Sequence, residues 1–590
     1  MKHLFKHLIY LCTFIFYPFL LYATHKSFVV IIPSYNNIQW CEQNLRSVFG
    51  QEYDNYRVIY VNDCSDDGTK ERVEQLVDQL GQKHRFMMIN NTTRRGAMAN
   101  WFMAVWLCEP HEVVVSLDGD DWFAHERVLT YLDSVYQDPE VWMTYGQFII
   151  HNNNQIGWCR QVSSETIEKN QFRDDAWVTS HLRTFYAGLF HGIPKEDFMV
   201  NGQFYQSAAD LAIMYPLLER AGKHSRFIPE ILYVYNRINP INDERVNYNL
   251  QTNLGIYIRA QKRHQPIERF DDATEQRTIY IQKGLWGCLF DINSHHNRDN
   301  CLYPTYLLRI EMAKKGYRLV ETDTIVGHHN AHAIVCFDVP MAELERLPEY
   351  PTEKLYLFLW EPPSVSPHNY NQAFHYPFAK VATWMDELVD GKKYHKMYYP
   401  VRNEVIKDVV PFEQKKLATM IAFNKNSGHP RQLYGQRAEL VNFFEHYHQE
   451  DFDIYGNWWP QHYKTYKGTV KSKVDTLKHY KFVFAYENIE GISGYVTEKM
   501  FDVFWAGAVP VYWGADNIEQ YVPKNCFIDR RDFADNEQLY QHLKNMSKET
   551  YEQYLVNIKN YLASSQSTMF SPLNLSNVFS QMVLNEPLSA

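Results

Sequence analysis

Close cysteine pairs are missing from this sequence. Nine cysteines are scattered over 590 residues, and none has the C-x-x-C spacing of a zinc or thiol-redox site. They are expected to be mainly buried thiols; Cys288 and Cys301 are a pair that could in principle bridge within the second half. A block of lysine and arginine is missing too, and acidic residues outnumber basic ones 69 to 59, for a net charge of −10. A nucleic-acid groove needs a concentrated basic surface to neutralise phosphates, so nucleic-acid partners are excluded, whereas a small anionic ligand needs only a local basic site. There is no internal repeat and no low-complexity tract. With 45% hydrophobic and 22% charged residues the chain has an ordinary globular composition, and its 15% aromatic content suits clefts that stack on sugars or bases.

One long apolar run stands at the start, from Leu8 to Ala23, preceded by Lys2 and Lys6. Its length lies between a signal-peptide core and a full membrane span of about twenty residues. Residues 1–25 therefore read as a signal or anchor segment, cleaved or retained, with the basic side kept cytoplasmic and the rest carried onto or across a membrane. The full length is too great for one hydrophobic core and implies about three or four folding units.

From residue 27 short β-rich runs alternate with amphipathic helices, the pattern of a parallel sheet covered on both faces. Strands are expected at SFVVII (27–32), RVIYV (57–61), RFMMIN (85–90) and EVVVSL (112–117). This first α/β domain is placed at 26–245. A polar, Asn- and Arg-rich stretch follows as a linker at 246–275. New strands then appear as RTIYIQ, AIVCFDV and KLYLFLW in a unit at 276–405, and as LATMIAF, FDIYG, KFVFAYE and AVPVYW in a unit at 406–590.

Ligands of open α/β sheets bind beyond the carboxyl ends of the strands. In the first domain three polar clusters follow successive strands: PSYNN at 33–37, NDCSDDGT at 62–69 and DGDDW at 118–122. Each alone reads as turn chemistry, but the three together read as one site. Two phosphates repel carboxylates unless a divalent cation lies between them, and Asp118 with Asp120 are the oxygen ligands that would hold Mn or Mg there. Asp63 suits a hydrogen bond to a nucleotide base. PSYNN, NDCSDDGT, RRGAMAN (94–100) and DGDD resemble the inverting family 2 glycosyltransferases of the GT-A fold. The resemblance implies a nucleotide-sugar donor, typically a UDP-sugar, held by Pro33, Ser34, Tyr35, Asp63, Arg95, Asp118 and Asp120. It also implies a catalytic carboxylate in a downstream acidic motif, which SAADL matches with Asp210, although Ala209 stands where the common form has Glu. His181 and Arg183 are candidate contacts to acceptor or diphosphate.

The second half carries YKFVFAYENIEGISGYVTEKMFDVFWAGAVPVYWG at 480–514. Thr497 sits where an N-cap belongs, and Lys499 in the first helical turn faces the unfavourable end of the helix dipole, an arrangement that a bound anion reverses. The triplet Tyr486-Glu487-Asn488, the run Tyr495 to Lys499 and the run Ala506 to Val511 resemble the family 10 α1,3-fucosyltransferases. That resemblance implies a two-lobed GT-B fold, GDP-fucose as donor and no metal. It assigns Asn488, Tyr495, Glu498 and Lys499 to the donor pocket, with Arg437 on a phosphate and Arg431 as the competing choice. Glu361, in LFLWEPPSVSP, is the implied general base, and an apolar aromatic setting would raise its pKa. The expected protein is a bifunctional, membrane-associated glycosyltransferase acting on a glycan or glycoprotein acceptor, facing a Golgi-like lumen or the cytosol. The alternative is a chain with one active half and one glycan-binding or docking half.

Overall fold

The computed structural model describes residues 25–270, 274–283, 287–401 and 409–587. The expected signal or anchor run, Leu8 to Ala23, lies outside them. Among the described residues no helix is long and apolar enough to cross a membrane. The chain forms two compact units, residues 25–94, 111–189 and 207–267 in the first, residues 95–110, 190–206 and 268–587 in the second.

The first unit is built on an eight-stranded sheet. Its strands are β1 (Phe28–Ser34), β2 (Tyr56–Asn62), β3 (Phe86–Asn90), β4 (Val113–Ser116), β5 (Trp122–Phe123), β6 (Met143–Ile150), β7 (Thr184–Tyr186) and β10 (Ser225–Tyr235). A separate hairpin, β8 (Met199–Val200) with β9 (Gln203–Phe204), belongs to the second unit. The sheet order is β3-β2-β1-β4-β7-β6-β10-β5. Phe28 to Ile32 and Val113 to Val115 are wholly buried, because a strand covered on both faces reads as a continuous apolar run instead of an alternation. The four strands expected from sequence are present, but the sheet is mixed: β7 runs antiparallel to both β4 and β6, and β5 antiparallel to β10. Strands of two or three residues leave no periodicity to read. Pro229 lacks an amide hydrogen, and the β10–β6 register shifts between Ile228 and Ile231.

The boundary expected between the halves needs correction. Residues 246–275 are not a plain linker: they contain the helix Tyr248–Arg259, and the first unit extends to Ile267. Arg173 explains this. Its buried guanidinium pairs with Glu219 at 2.5 Å and donates to the Ile258 carbonyl at 2.6 Å, while Glu219 also accepts the His264 amide at 2.9 Å. Polar residues that bond inward look like linker composition in a sequence. In the other direction, 95–110 and 190–206, assigned to the first domain, count with the second unit. There Glu109 meets Arg318 at 2.6 Å.

The second unit holds two wholly parallel sheets. One comprises β11 (Thr278–Gln282), β12 (Arg318–Thr322), β13 (Ala333–Phe337), β14 (Leu355–Leu359), β15 (Lys380–Thr383) and β16 (Tyr394–Lys396), in the order β12-β11-β13-β14-β15-β16. The other comprises β17 (Lys416–Ile421), β18 (Phe452–Tyr455), β19 (Tyr480–Tyr486), β20 (Val509–Trp513) and β21 (Ile528–Asp529), in the order β18-β17-β19-β20-β21. A mixed α/β sheet followed by two parallel α/β lobes is the expected GT-A then GT-B order. The lobe boundary at 405/406 falls outside the described residues. The span 406–590 does not all belong to the last lobe: Leu575, Phe579 and Met582 of the terminal helix Pro572–Val583 are buried with Ile279, Val335 and Phe358 in the core of the preceding lobe. An amphipathic stripe shows that a helix must be covered but not which sheet covers it. Cys288 and Cys301 are free thiols, as are all eight cysteines of the described residues, so no bridge joins them.

Truncating one member of a buried, fully bonded ion pair costs about 3–5 kcal/mol. Glu219→Ala is expected to lower the calorimetric unfolding midpoint of the first unit and to expose 246–267 to limited proteolysis. An unchanged melt and digest would contradict the assignment of that segment to the first unit.

Candidate functional site

In the first unit the three polar clusters meet at the carboxyl edge of the sheet. The Gly119 amide donates to the Pro33 carbonyl at 3.2 Å and the Asp63 amide to the Ser34 carbonyl at 2.8 Å. Ser34 Oγ accepts from Tyr60 at 2.7 Å and from Asn37 at 3.1 Å. A Cβ on Gly119 would stand 2.7 Å from the Ser34 side chain and 2.8 Å from Asn37, so only glycine lets the DGDD loop lie this close to PSYNN. Asp63 is buried and accepts Asn91 Nδ2 at 2.8 Å. Pro33, Ser34, Asp63, Asp118 and Asp120 thus lie together at one edge of the sheet.

The side chain of Asp118 is 37% exposed, with Arg183 Nη2 at 3.9 Å. Asp120 is held by Asn239 Nδ2 at 2.8 Å, and burial, reinforced by Asp118, pushes its pKa up to about 6. Asp121, which sequence reasoning passed over, is fully buried; it accepts the Tyr233 hydroxyl at 2.5 Å and the Asn236 amide at 2.7 Å. Burial and its two acidic neighbours raise its pKa strongly. Carboxylates that disfavour each other's ionisation in one turn are relieved by a divalent cation, and their oxygens suit Mg or Mn. Among the described residues no three His, Cys, Asp or Glu side chains form a ready-made cage. A metal held here by Asp118 and Asp120 would take further oxygens from its ligand.

Four further candidates from the sequence are Arg95, His181, Arg183 and Asp210. The guanidinium over the Tyr35 ring, at 3.9 Å, is that of Arg94, while Arg95 opens the segment that counts with the second unit. His181 and Arg183 are buried behind the acidic turn. Arg183 Nη2 lies 3.0 Å from His181 Nδ1; because arginine can only donate, His181 Nδ1 is the acceptor and the ring is neutral. Burial and then Arg183 lower its pKa accordingly. Its ring stacks on Tyr233 at 4.3 Å. Asp210 stands half-buried in the first turn of the helix Ala209–Ala221, after Ala208 in a left-handed conformation at φ 58°.

In the second unit a cavity of about 330 Å³ is lined by Glu361, Tyr434, Arg437, Asn488, Glu498 and Lys499, with Arg298, Lys473 and Asp502 further round the wall. Thr497 caps the helix Glu498–Trp505 as expected. Beneath it Glu487 is wholly buried and accepts the Thr497 amide at 2.9 Å and its hydroxyl at 2.8 Å. Lys499 Nζ lies 3.3 Å from Glu487 and 3.6 Å from Glu498. Burial opposes the ammonium, but these two carboxylates outweigh it and hold the Lys499 pKa above its ordinary value. Burial likewise opposes the Glu498 carboxylate, yet Lys499 and Lys473 bring it down to about 2.

The guanidinium of Arg437 is buried and donates from Nη2 to the carbonyls of Tyr486 and Glu487, each at 2.7 Å, and to Asn488 Oδ1 at 3.0 Å. It clamps the end of β19 while lining the cavity. Arg431 bonds instead to the Gly491 carbonyl at 2.8 Å and is not among the residues that line the cavity. Tyr495 needs correction: its ring packs on Trp384 at 4.5 Å in the core and does not line the cavity. Glu361 follows β14 across the cavity. Its amide donates to Asp338 at 3.2 Å, and burial, then Asp338, raises its pKa against the pull of Lys283 and Lys499.

The family described as glycosyl transferase family 2 matches residues 29–197, and that described as glycosyltransferase family 10 (fucosyltransferase) C-term matches residues 412–577. The chain carries two glycosyltransferase domains, one of family 2 and one of family 10. Among similar proteins, an alpha-(1,4)-fucosyltransferase of Arabidopsis thaliana is 38% identical over 80 residues, 13% of this chain and 20% of that protein. The alpha-(1,3)-fucosyltransferase FucT of Helicobacter pylori is 33% identical over 75 residues, 13% of this chain and 16% of its own length. The chain thus spans a fifth or less of the length of these relatives. A crystal structure of an alpha1,3-fucosyltransferase is similar at 14% identity with a TM-score of 0.36, covering 53% of this chain and 91% of its own.

In the family 10 domain the motifs located the wall around the helix N-terminus, but not Arg298, Lys473 or Asp502. Lys473 opens a five-residue helix, Lys473–Leu477, too short to announce itself, and Arg298 enters from a turn of the preceding lobe. The i,i+4 spacing of Glu498 and Asp502 was the signal available for the third.

In the family 2 domain Gly119→Ala is expected to cut transfer about 10²-fold by shifting the acidic turn, without changing transfer by the family 10 domain. Donor-consumption assays on each activity check this, and equal losses in both would refute it.

Proposed function

We propose that the chain is a bifunctional inverting glycosyltransferase whose family 10 domain moves L-fucose from GDP-fucose to a glycan hydroxyl and whose family 2 domain moves a sugar from a nucleotide donor, typically UDP-linked. The observation that carries the first part is the single cavity that sets Glu361 on one wall and Lys499 with Arg437 on another. Glu361 accepts the proton of the acceptor hydroxyl as its oxygen attacks the anomeric carbon, and the departing GDP is met by the two cations, which replace a metal. Asn488 and Glu498 orient sugar or ribose hydroxyls.

In the family 2 domain Asp118 and Asp120 would hold Mn or Mg, which would supply positive charge to the leaving diphosphate. Asp63 faces the base, Pro33, Ser34 and Tyr35 shape the donor cleft, and Asp210 acts as general base. A second reading, in which this domain binds glycan without turning over donor, draws on Ala209 standing where Glu is common. Membrane association through the first 25 residues rests on their basic and apolar pattern.

The deciding assay incubates the full chain with UDP- and GDP-sugars, with and without chelator, and follows donor consumption. Asp120→Asn is expected to abolish the chelator-sensitive transfer alone, and Glu361→Gln the fucosyl transfer alone. Fucosyl transfer that survived Glu361→Gln would remove Glu361 as base.

The pH dependence has a definite sign. A base with a raised pKa works only above that pKa, so fucosyl transfer should fall on acidification with a limb above the usual Glu value of about 4.3. Asp338→Asn removes a neighbouring negative charge and is expected to move the limb to lower pH, measured as kcat/KM against pH. A limb that stayed in place would separate it from Glu361.

A further inference from the structure

Beyond the helix N-terminus the family 10 cavity has a second polar station. Glu498 and Asp502 are four residues apart on one helix and face the same way, so Asp502 lies about 6 Å deeper along the axis than Glu498 at the helix N-terminus. Lys473 Nζ is 2.7 Å from Asp502 Oδ2. Its position is set twice: Ser472 caps its helix by accepting the Asp475 amide at 3.2 Å, and the Lys473 amide donates to Asp299 Oδ1 at 2.8 Å.

The wall beside this pair is apolar. Leu477 lies on the helix that Lys473 opens, Val503 adjoins Asp502, and Ile421 and Val483 come from β17 and β19. Asp502 is 7% exposed, lines the cavity, and accepts the Lys473 ammonium on Oδ2. Burial, partly offset by Lys473 and reinforced by Glu498, pushes the Asp502 pKa up to about 6.

Apolar side chains beside an adjacent acceptor and donor fit one kind of group. Guanine presents two neighbouring donors, N1–H and the 2-amino group, beside the O6 acceptor. A carboxylate accepts from both donors and an ammonium donates to O6. Uracil offers one donor between two acceptors, and adenine sets an acceptor beside its amino group, so either base would turn a lone pair toward the carboxylate. We propose that Asp502 and Lys473 read the guanine edge of the nucleotide and so set which donor base the family 10 domain accepts. This rests on the reading of the cavity as a GDP-sugar site, and neither residue falls in the motifs that suggested that reading except by adjacency.

Titration calorimetry of the full chain with GDP, IDP and UDP tests the assignment, IDP being GDP without the 2-amino group. Wild type should bind IDP about 10–100-fold more weakly than GDP, the weight of a hydrogen bond to a charged acceptor, and UDP more weakly still. Asp502→Asn should bind GDP about as weakly as wild type binds IDP, with the GDP/IDP ratio falling toward one. Its thermal melt reports whether it folds, and the wild-type comparison stands without it. Equal binding of GDP and IDP by wild type, or a folded Asp502→Asn that kept the full ratio, would overturn the proposal while leaving a GDP site in place. Failure of wild type to bind GDP at all would instead overturn the reading of the cavity.

Discussion

Charge held at the carboxyl ends of buried parallel strands is the constraint on which both units depend. The strands beneath are dry and apolar, as Phe28 to Ile32 in β1 show, so the polar groups that follow them have little water to share. They must be satisfied by one another, by backbone or by a ligand. The first unit meets this with an excess of carboxylates. Asp121 is satisfied by Tyr233 and Asn236 and fixes the turn, whereas Asp120 stays protonatable near pH 6 and Asp118 faces outward. The second unit meets the same constraint with cations and their counterions.

The counterions in the second unit explain how a lysine tolerates the first turn of a helix. Glu487, buried under the turn, binds the Thr497 cap and sits 3.3 Å from Lys499. An opposite charge therefore faces the ammonium even before any ligand arrives, which removes the dipole penalty. The same arrangement keeps Glu498 ionised despite its burial. Under the proposed function an incoming diphosphate finds the cations already ordered, and little reorganisation is left for the reaction step.

The lobes of the second unit are also tied through these residues. The terminal helix returns to the preceding lobe's core, and Tyr495, just ahead of the cap, packs on Trp384 there. Asp386 bonds Asn517 at 2.8 Å and Tyr521 at 2.6 Å, and Asn517 in turn accepts the Gly494 amide at 2.9 Å. A Cβ on Gly494 would stand 2.2 Å from the Trp384 carbonyl. The segment leading to Thr497 is thereby seated by backbone and side chains of both sheets, which places Lys499 relative to Glu361.

By itself the sequence determined the longer parallel strands, the helix cap at Thr497 and the polar clusters at strand ends, because these follow from local periodicity and from residues three or four apart. It also carried the two family signatures, since each is a contiguous run. Only the tertiary structure decided that the stretch after residue 245 closes the first unit, that Arg437 and not Arg431 lines the cavity, that Arg94 covers Tyr35, that Glu487 lies beneath the Thr497 cap, and that Lys473 and Asp502 line the same cavity. Those outcomes depend on which side chains meet across long sequence separations, and no spacing along the chain encodes the direction in which a buried charge finds its partner.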